Sequence, residues 1–317
     1  MDLVTHALSG PLLGRAGLER WLGPEPSRRA TWLLLVAALA PDIDNLLFVK
    51  GTAAYLDYHR GFTHSFAGGI VVALVVAAIF WLRRPRPRFR AAFLLALAGV
   101  YAHIFLDLIT SYGTQIFYPF TQRRYGLNLV FIIDPLFTFL FTLPFLMKRR
   151  GRGPAARLAL GTISAYLLLC GALNLGARAA TRHYLISSGM SPGETAAFPR
   201  PPSPLGWFAI DVTPEAYRQF HWSLWHPRSP QMVIYPRAVR TDLLEEARRQ
   251  PDVRAFLRFS RYPHIYVEEK AGTRTLNFFD LRFNGIPDRS VRPFLLRAVF
   301  DENGRVSSCG FVRDQES

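Results

Sequence analysis

Long apolar runs separated by short charged joints fill roughly the first 180 residues, and a shorter-period pattern takes over after them. Runs near 20 residues, the length a helix needs to cross a hydrocarbon core, fall at 31–49, 65–82, 91–110, 127–147 and 155–177. They predict five membrane-spanning helices. The opening stretch 3–18 is apolar but shorter, and it lacks the positive leader and cleavage site of a secretory signal. It predicts a sixth, shorter helix that is retained.

From about Arg178 the pattern changes. S-P-G-E-T-A-A-F-P-R-P-P-S-P-L-G at 191–206 is too rich in proline and glycine for a regular helix and predicts a linker or irregular entry. Alternating or aromatic-rich pieces at 207–212, 219–225, 232–235, 264–269, 275–283, 293–301 and 306–312 predict strands, with turns at 270–273 and 302–305. One helix is expected at 241–250, started by Thr241, with Asp242 and Glu245 toward its positive end and Arg248 and Arg249 toward the other. The expected architecture is a polytopic α-helical membrane domain over 1–180, a linker over 181–206, and an α+β domain over 207–317.

Composition agrees with a membrane protein. Half of the 317 residues are hydrophobic, 25 are phenylalanine, and mean hydropathy is positive, which together exceed what an ordinary soluble domain of this length carries. A net charge of +15 would suggest nucleic acid, but the basic residues concentrate in joints: Arg28 and Arg29, the run at 83–90, and the run at 148–153. All three fall on one side of the predicted spans, which the positive-inside bias makes the cytoplasm. No nucleic-acid partner is expected. The expected location is a bacterial cytoplasmic (inner) membrane, with the α+β domain outside. Cys170 and Cys309 offer neither a disulfide framework nor a metal clip.

The unusual chemistry lies in four short pieces that set histidine and aspartate within or beside apolar runs: T-H-A-L-S-G at 5–10, P-D-I-D at 41–44, H-R-G-F-T-H-S at 59–65 and H-I-F-L-D at 103–107. One aspartate at the centre of a membrane helix costs about 2.5–3.5 kcal/mol on insertion scales. Repeating that cost calls for a compensating partner, and a bound cation is the natural one for imidazole and carboxylate. His103 and Asp107, four apart, share one helix face and can grip one ion, or else form a buried hydrogen bond between helices. Asp2 and His6 repeat the spacing, with Asp2 a ligand, a group orienting His6, or a surface residue. Pro41 should break its helix and free carbonyls beside two carboxylates. Asp42 and Asp44 cannot face the same way on a regular helix, so Asp42 is the expected ligand, with Asp44 behind it or solvated at the helix end. His59 and His64 flank an Arg-Gly turn, and Thr63 or Ser65 can cap the following helix.

Counting about 1.5 Å per residue from the inner face places Asp42 about 17 Å, His103 about 18 Å and Asp107 about 24 Å outward. His59 and His64 fall at the outer mouth, and Asp134 about 10 Å inward from the outer end of its run. His6 joins them if the amino terminus is outside. The hydroxyls around Thr110–Thr114 could approach a phosphate whose remaining charge Arg60, Arg123 or Arg124 neutralises. The alternative for Arg123 and Arg124 is snorkelling at the interface.

The ordered set M-D-x-x-T-H-x-x-x-G, P-D-x-D, H-R-G-x-T-H-S and H-x-x-x-D-x-x-T-S-Y-G-T, then I-I-D-P at 132–135, resembles the YdjM-type family of bacterial membrane-bound, predicted metal-dependent hydrolases over about 1–147. A more distant similarity, to the helical zinc-dependent phospholipases C, implies His6, Asp42, His59 or His64, His103 and Asp107 as ligands. The chain is expected to hold one or two divalent ions, zinc or alternatively manganese. The expected reaction is hydrolysis of a phosphoester in a lipid or lipid-linked substrate by a metal-activated water, with Asp44 or Asp134 orienting that water and Arg60 facing the phosphate. A metal-dependent amidase or protease is a neighbouring reading, although H-E-x-x-H is missing. The rival class is a metal or proton transporter, whose polar path should continue to the cytoplasmic face; the inner stretches 91–99 and 139–147 hold no ionisable residue.

Overall fold

A computed structural model describes residues 1–23, 28–83, 88–147, 152–201, 204–223, 226–237, 241–270, 272–285 and 292–312. Arg84, Arg86 and 148–151 of the basic joints lie outside the described residues. So do Pro202 and Ser203 of the expected linker, Leu224 and Trp225 of one expected strand, Ala271 of one turn, and the Thr241 side chain.

The chain divides into two compact units, the first built mainly from Met1–Leu46 and Tyr58–Ala172. Among the described residues up to Ser187 lie seven α-helices: α1 (Leu3–Ala16), α2 (Arg28–Leu39), α3 (Thr52–Tyr58), α4 (Phe66–Leu82), α5 (Phe89–Leu108), α6 (Pro135–Leu146) and α7 (Arg152–Ser187). Within the first unit α2, α4 and α5 share a core of small and aliphatic side chains, among them Ala37, Ala73, Ala77, Ala96, Leu33, Leu95 and Val100. Small residues let helix backbones approach closely, the usual basis of packing between helices in lipid. Two glycines show how closely. A Cβ on Gly10 would stand 2.2 Å from the Leu34 carbonyl oxygen, and one on Gly99 would stand 2.7 Å from the Ala37 Cβ. Glycine at these two positions seats α1 and α5 against α2. On α4, Ile70, Val71, Leu74, Val75 and Ile79 face outward and exposed, a stripe that water would penalise and lipid would not.

Arg28–Lys50, Phe89–Leu108 and Gly153–Ser187 are long and apolar enough to cross a bilayer, and Thr52–His64 with Phe66–Leu82, bent by 71°, makes a fourth if taken as one broken span. Among the described residues the candidate spans thus number three or four, where five to six were expected. The run 127–147 fails because only its second part is helical: α6 has 12 residues, about 18 Å at the α-helical rise and short of a bilayer core. Asp134 and Pro135 explain its late start, since Pro135 stands at the head of the helix and Asp134 accepts the Phe137 N–H as its cap. The run 31–49 is likewise α-helical only to Leu39, and Ala40–Lys50 tightens into 3-10 geometry. Pro41 is the cause, having no N–H to continue the ladder.

The second unit takes Leu47–Asp57, Leu173–Arg200 and the β-rich remainder. It carries two antiparallel four-stranded meanders, one of β1 (Glu194–Arg200), β2 (Gly206–Val212), β3 (Ala216–Ser223) and β4 (His226–Pro236), the other of β5 (Pro263–Lys270), β6 (Thr273–Asp280), β7 (Leu296–Phe300) and β8 (Val306–Phe311). The expected linker is corrected here. α7 runs on to Ser187, and Glu194–Arg200 is a strand paired with β2 from Glu194 opposite Val212 to Arg200 opposite Gly206. Pro199 is compatible with it because β1 is an edge strand, where a missing N–H costs no ladder bond. The expected helix at 241–250 is α8 (Thr241–Ala247), and a second helix, α9 (Pro251–Phe259), follows at once. Pro251 opens α9, and Val253, Phe256 and Phe259 form its buried stripe.

Two histidines in this unit are held neutral. Burial, helped by Arg200 for His221 and Arg292 for His264, lowers each to about 4. His264 lies among the rings of Tyr235, Tyr266 and Phe279. Unfolding restores a pKa near 6.5, so the unfolded chain binds protons that the folded chain refuses. Stability present above about pH 6.5 is therefore lost as the pH falls toward 4. The thermal midpoint in detergent should drop across that window, and the drop should be smaller for His264→Phe. An equal drop in wild type and variant would remove His264 from the effect.

Candidate metal centre

Each cluster residue is delivered by a feature of its own segment. Past Leu39 the 3-10 ladder calls for a donor from residue 41 to the Ala38 carbonyl, and Pro41 has none. That carbonyl instead accepts from His103 Nδ1 at 2.7 Å. The proton on Nδ1 leaves Nε2 as the lone-pair atom. The same break projects Asp42 and Asp44. Asp44 then organises the turn 59–64: its Oδ1 meets His59 Nδ1 at 2.7 Å, while its Oδ2 accepts the Arg60 backbone N–H at 3.1 Å and the Thr63 hydroxyl at 2.8 Å and lies 3.1 Å from His64 Nδ1. A carboxylate on Nδ1 fixes ring orientation and turns His64 Nε2 toward the centre.

Arg60 is non-glycine at φ 57°, a conformation of the kind that surrounding structure must hold in place. Its N–H is taken by Asp44, its carbonyl accepts from Gln115 N at 2.9 Å, and its guanidinium bonds Thr110 Oγ1 at 3.1 Å and Asp107 Oδ1 at 2.8 Å. The guanidinium also stacks over Tyr112. Asp107 Oδ1 further meets His6 Nε2 at 3.2 Å and the Met1 nitrogen.

The opposite oxygen, Asp107 Oδ2, is buried without a hydrogen-bond partner. It stands 3.2 Å from His64 Nε2 and 3.5 Å from His103 Nε2. The two Nε2 atoms are 3.0 Å apart, and each is 3.6 Å from Asp42 Oδ1. Five of the six edges of this four-atom figure are thus 3.0–3.6 Å. Ligands about 2.0–2.1 Å from a tetrahedral ion stand about 3.4 Å apart. Asp42, His64, His103 and Asp107 can hold a metal ion. All are fully buried except Asp42, which is 18% exposed and gives the group its side toward solvent.

Four of the six expected ligands meet in this way. His6 stacks on His103 with centroids 3.7 Å apart and braces Asp107 rather than completing the four-atom group. His59 joins Asp42 and Asp44 in an adjoining group. Arg60 does not face outward to a phosphate; it is 3% exposed and committed to Asp107 and Thr110. Asp134 is spent elsewhere, with one oxygen capping α6 and the other accepting the Tyr166 hydroxyl at 2.7 Å. Asp2 caps α1 through the Thr5 N–H and hydroxyl and does not orient His6. Of the two cap candidates Ser65 takes the Gly68 N–H and Thr63 turns to Asp44. Arg124 binds the carbonyls of His59 and Gly113; Arg123 is exposed over Tyr125. The Thr110 hydroxyl, expected near a phosphate, accepts from the buried Arg60 guanidinium, and the carbonyl expected to be freed by Pro41 is that of Ala38, which accepts from His103.

A helical membrane protein with apolar spans converging on a buried histidine–aspartate group is the class these features define. The chain belongs to the YdjM inner membrane protein family, whose model matches residues 1–177 and so contains every residue of the centre. It is also 36% identical over 138 residues to the uncharacterized protein YfhP of Bacillus subtilis (strain 168). That alignment covers 43% of this chain and 42% of the relative, so the chain spans less than half the length of the relative it matches. No solved structure matches the chain significantly.

Proposed function

We propose that this protein is a membrane-embedded, metal-dependent hydrolase that cleaves a phosphoester in a lipid or lipid-linked substrate, with zinc as the resident ion. The observation that carries the proposal is the four-atom figure of Asp42 Oδ1, His64 Nε2, His103 Nε2 and Asp107 Oδ2, whose edges suit one tetrahedral ion. A divalent ion in such a set acts as a Lewis acid, lowering the pKa of water and neutralising charge on phosphoryl oxygens. The chain's own residues supply the rest. Asp44 and the Ala38 carbonyl fix the tautomers of His64 and His103, Arg60 fixes Asp107, and half-buried Asp42 marks the side from which substrate enters. The lipid preference rests on burial of the centre among apolar helices.

Turnover in detergent is the test. Purified protein should release product from a phospholipid or lipid phosphate, chelation should stop it, and zinc or manganese should restore it. Ion flux in sealed proteoliposomes, with nothing released from a broad phosphoester and amide panel, would replace this reading with transport.

The reading also implies a side. The joints 83–90 and 148–153 should be cytoplasmic and the β-rich unit extracytoplasmic, because lysine and arginine are retained inside. Accessibility of engineered cysteines in intact cells checks this, and labelling of the 83–90 joint from outside would invert the placement of the centre.

A further inference from the structure

Beside the four-residue group lies another set of donors that overlaps it and that the single-ion reading does not use as a ligand set of its own. Asp42, Asp44 and His59 each offer an atom within 4.8 Å of the other two, and Asp42 belongs to both groups. Asp44 divides its oxygens between tasks. Oδ2 is occupied by the Arg60 N–H, the Thr63 hydroxyl and the nearby His64 Nδ1, whereas Oδ1 meets one partner among the described residues, His59 Nδ1, at 2.7 Å. A carboxylate oxygen with one partner keeps a lone pair to offer.

His59 is held at this place from several directions. Arg124 Nη1 donates to its carbonyl at 3.0 Å, its ring meets Tyr112 and His64 edge-on, and it is 4% exposed. The four-residue cage holds His64 and His103 with His6 stacked beside it, and His59, a fourth buried histidine, lies outside that cage against Asp44 Oδ1.

We propose that the centre binds two divalent ions, the second held by Asp42, Asp44 and His59, with the Asp42 carboxylate shared between them. The inference rests on the hydrolase reading above and names its site more fully. Pairs of ions about 3.5–4 Å apart clamp the attacking and leaving oxygens of a phosphoryl group undergoing displacement. Asp42, the shared ligand, is also the half-buried one, so the bridge lies on the side open to a substrate. The chemistry this favours is a phosphoester over a simple carboxylic ester, since a phosphoryl group presents an oxygen to each ion.

Metal content measures it directly. Full-length protein expressed with excess zinc, purified in detergent and passed through gel filtration, should carry two zinc ions per chain by elemental analysis. His59→Ala should carry one and still elute as a single folded species, with His59→Gln as a milder second variant. Manganese-loaded wild type should give the spin-coupled resonance of a metal pair, and His59→Ala the resonance of an isolated ion. One ion per chain in wild type overturns the pair and leaves the four-residue site standing. Two ions in both wild type and His59→Ala overturns the assignment to His59. No bound ion in wild type overturns both this inference and the hydrolase reading.

Discussion

Alanine at His103 or at Asp107 should abolish turnover and strip the ion from the four-residue group while the protein remains folded. Each side chain supplies one corner of the figure, and the two sit one helical turn apart on α5, His103 Nε2 being 3.5 Å from Asp107 Oδ2. Removing either leaves three donors and opens a corner to water. For His103 the fold should tolerate the loss, because its ring makes one tie to backbone, at Ala38, and the α2–α5 core of alanine, leucine and valine packs without it. For Asp107 the buried Arg60 would lose its counter-ion, so Asp107→Asn is the gentler companion variant: it keeps the shape and an oxygen, and should still lose the ion. Elemental analysis alongside the lipid-phosphoester assay reads both effects. Normal metal content in folded His103→Ala and Asp107→Asn would remove the pair from the ligand set.

Arg60→Ala should be the most destabilising single change in the turn 59–64. The guanidinium is buried and lies 2.8 Å from the fully buried Asp107 Oδ1, with a further bond to Thr110. Removing one partner of a buried ion pair costs about 3–5 kcal/mol when the other charge is left alone, and the Met1 nitrogen that stays on Asp107 Oδ1 should keep the loss toward the lower end. Lysine should rescue poorly, since one ammonium cannot reproduce the planar fork that reaches Asp107 and Thr110 together. Arg60→Gly provides a useful contrast. It removes the same charge but relieves the positive φ, so it should fall between wild type and alanine. Thermal unfolding in detergent ranks the four proteins, and an Arg60→Ala midpoint equal to wild type would show that the pair contributes no net stability.

These expectations differ in how much of their basis was legible from the residues alone. The pairing of His103 with Asp107 could be read directly, because an i, i+4 spacing inside an apolar helix fixes both side chains on one face. The break at Pro41 was legible for the same kind of reason, a missing N–H in a known position. The role of Arg60 was not. An arginine in a turn beside apolar runs reads equally well as a phosphate clamp, and only the approach of α5 to the turn shows it committed to Asp107.

What the sequence determined by itself was the local chemistry: apolar helices by run length, strands by alternation, the chain breaks by proline, and the inventory of imidazoles and carboxylates too costly to bury without a partner. Local rules also misjudged where length is not the deciding quantity. The run at 127–147 is apolar throughout, yet the Asp134–Pro135 cap sets the helix start, and the proline-rich 191–206 holds a strand because an edge position tolerates what an interior one would not. Only the tertiary structure decided which donors share one centre. Asp42, His64, His103 and Asp107 come from segments up to 65 positions apart, and the approach of α5 to the end of α2 depends on Gly99, where a Cβ would stand 2.7 Å from the Ala37 Cβ. Spacing along a chain fixes direction within one element. Distance between elements is set by packing, which is why Asp134 and Arg60 were expected at the substrate and were found holding the scaffold.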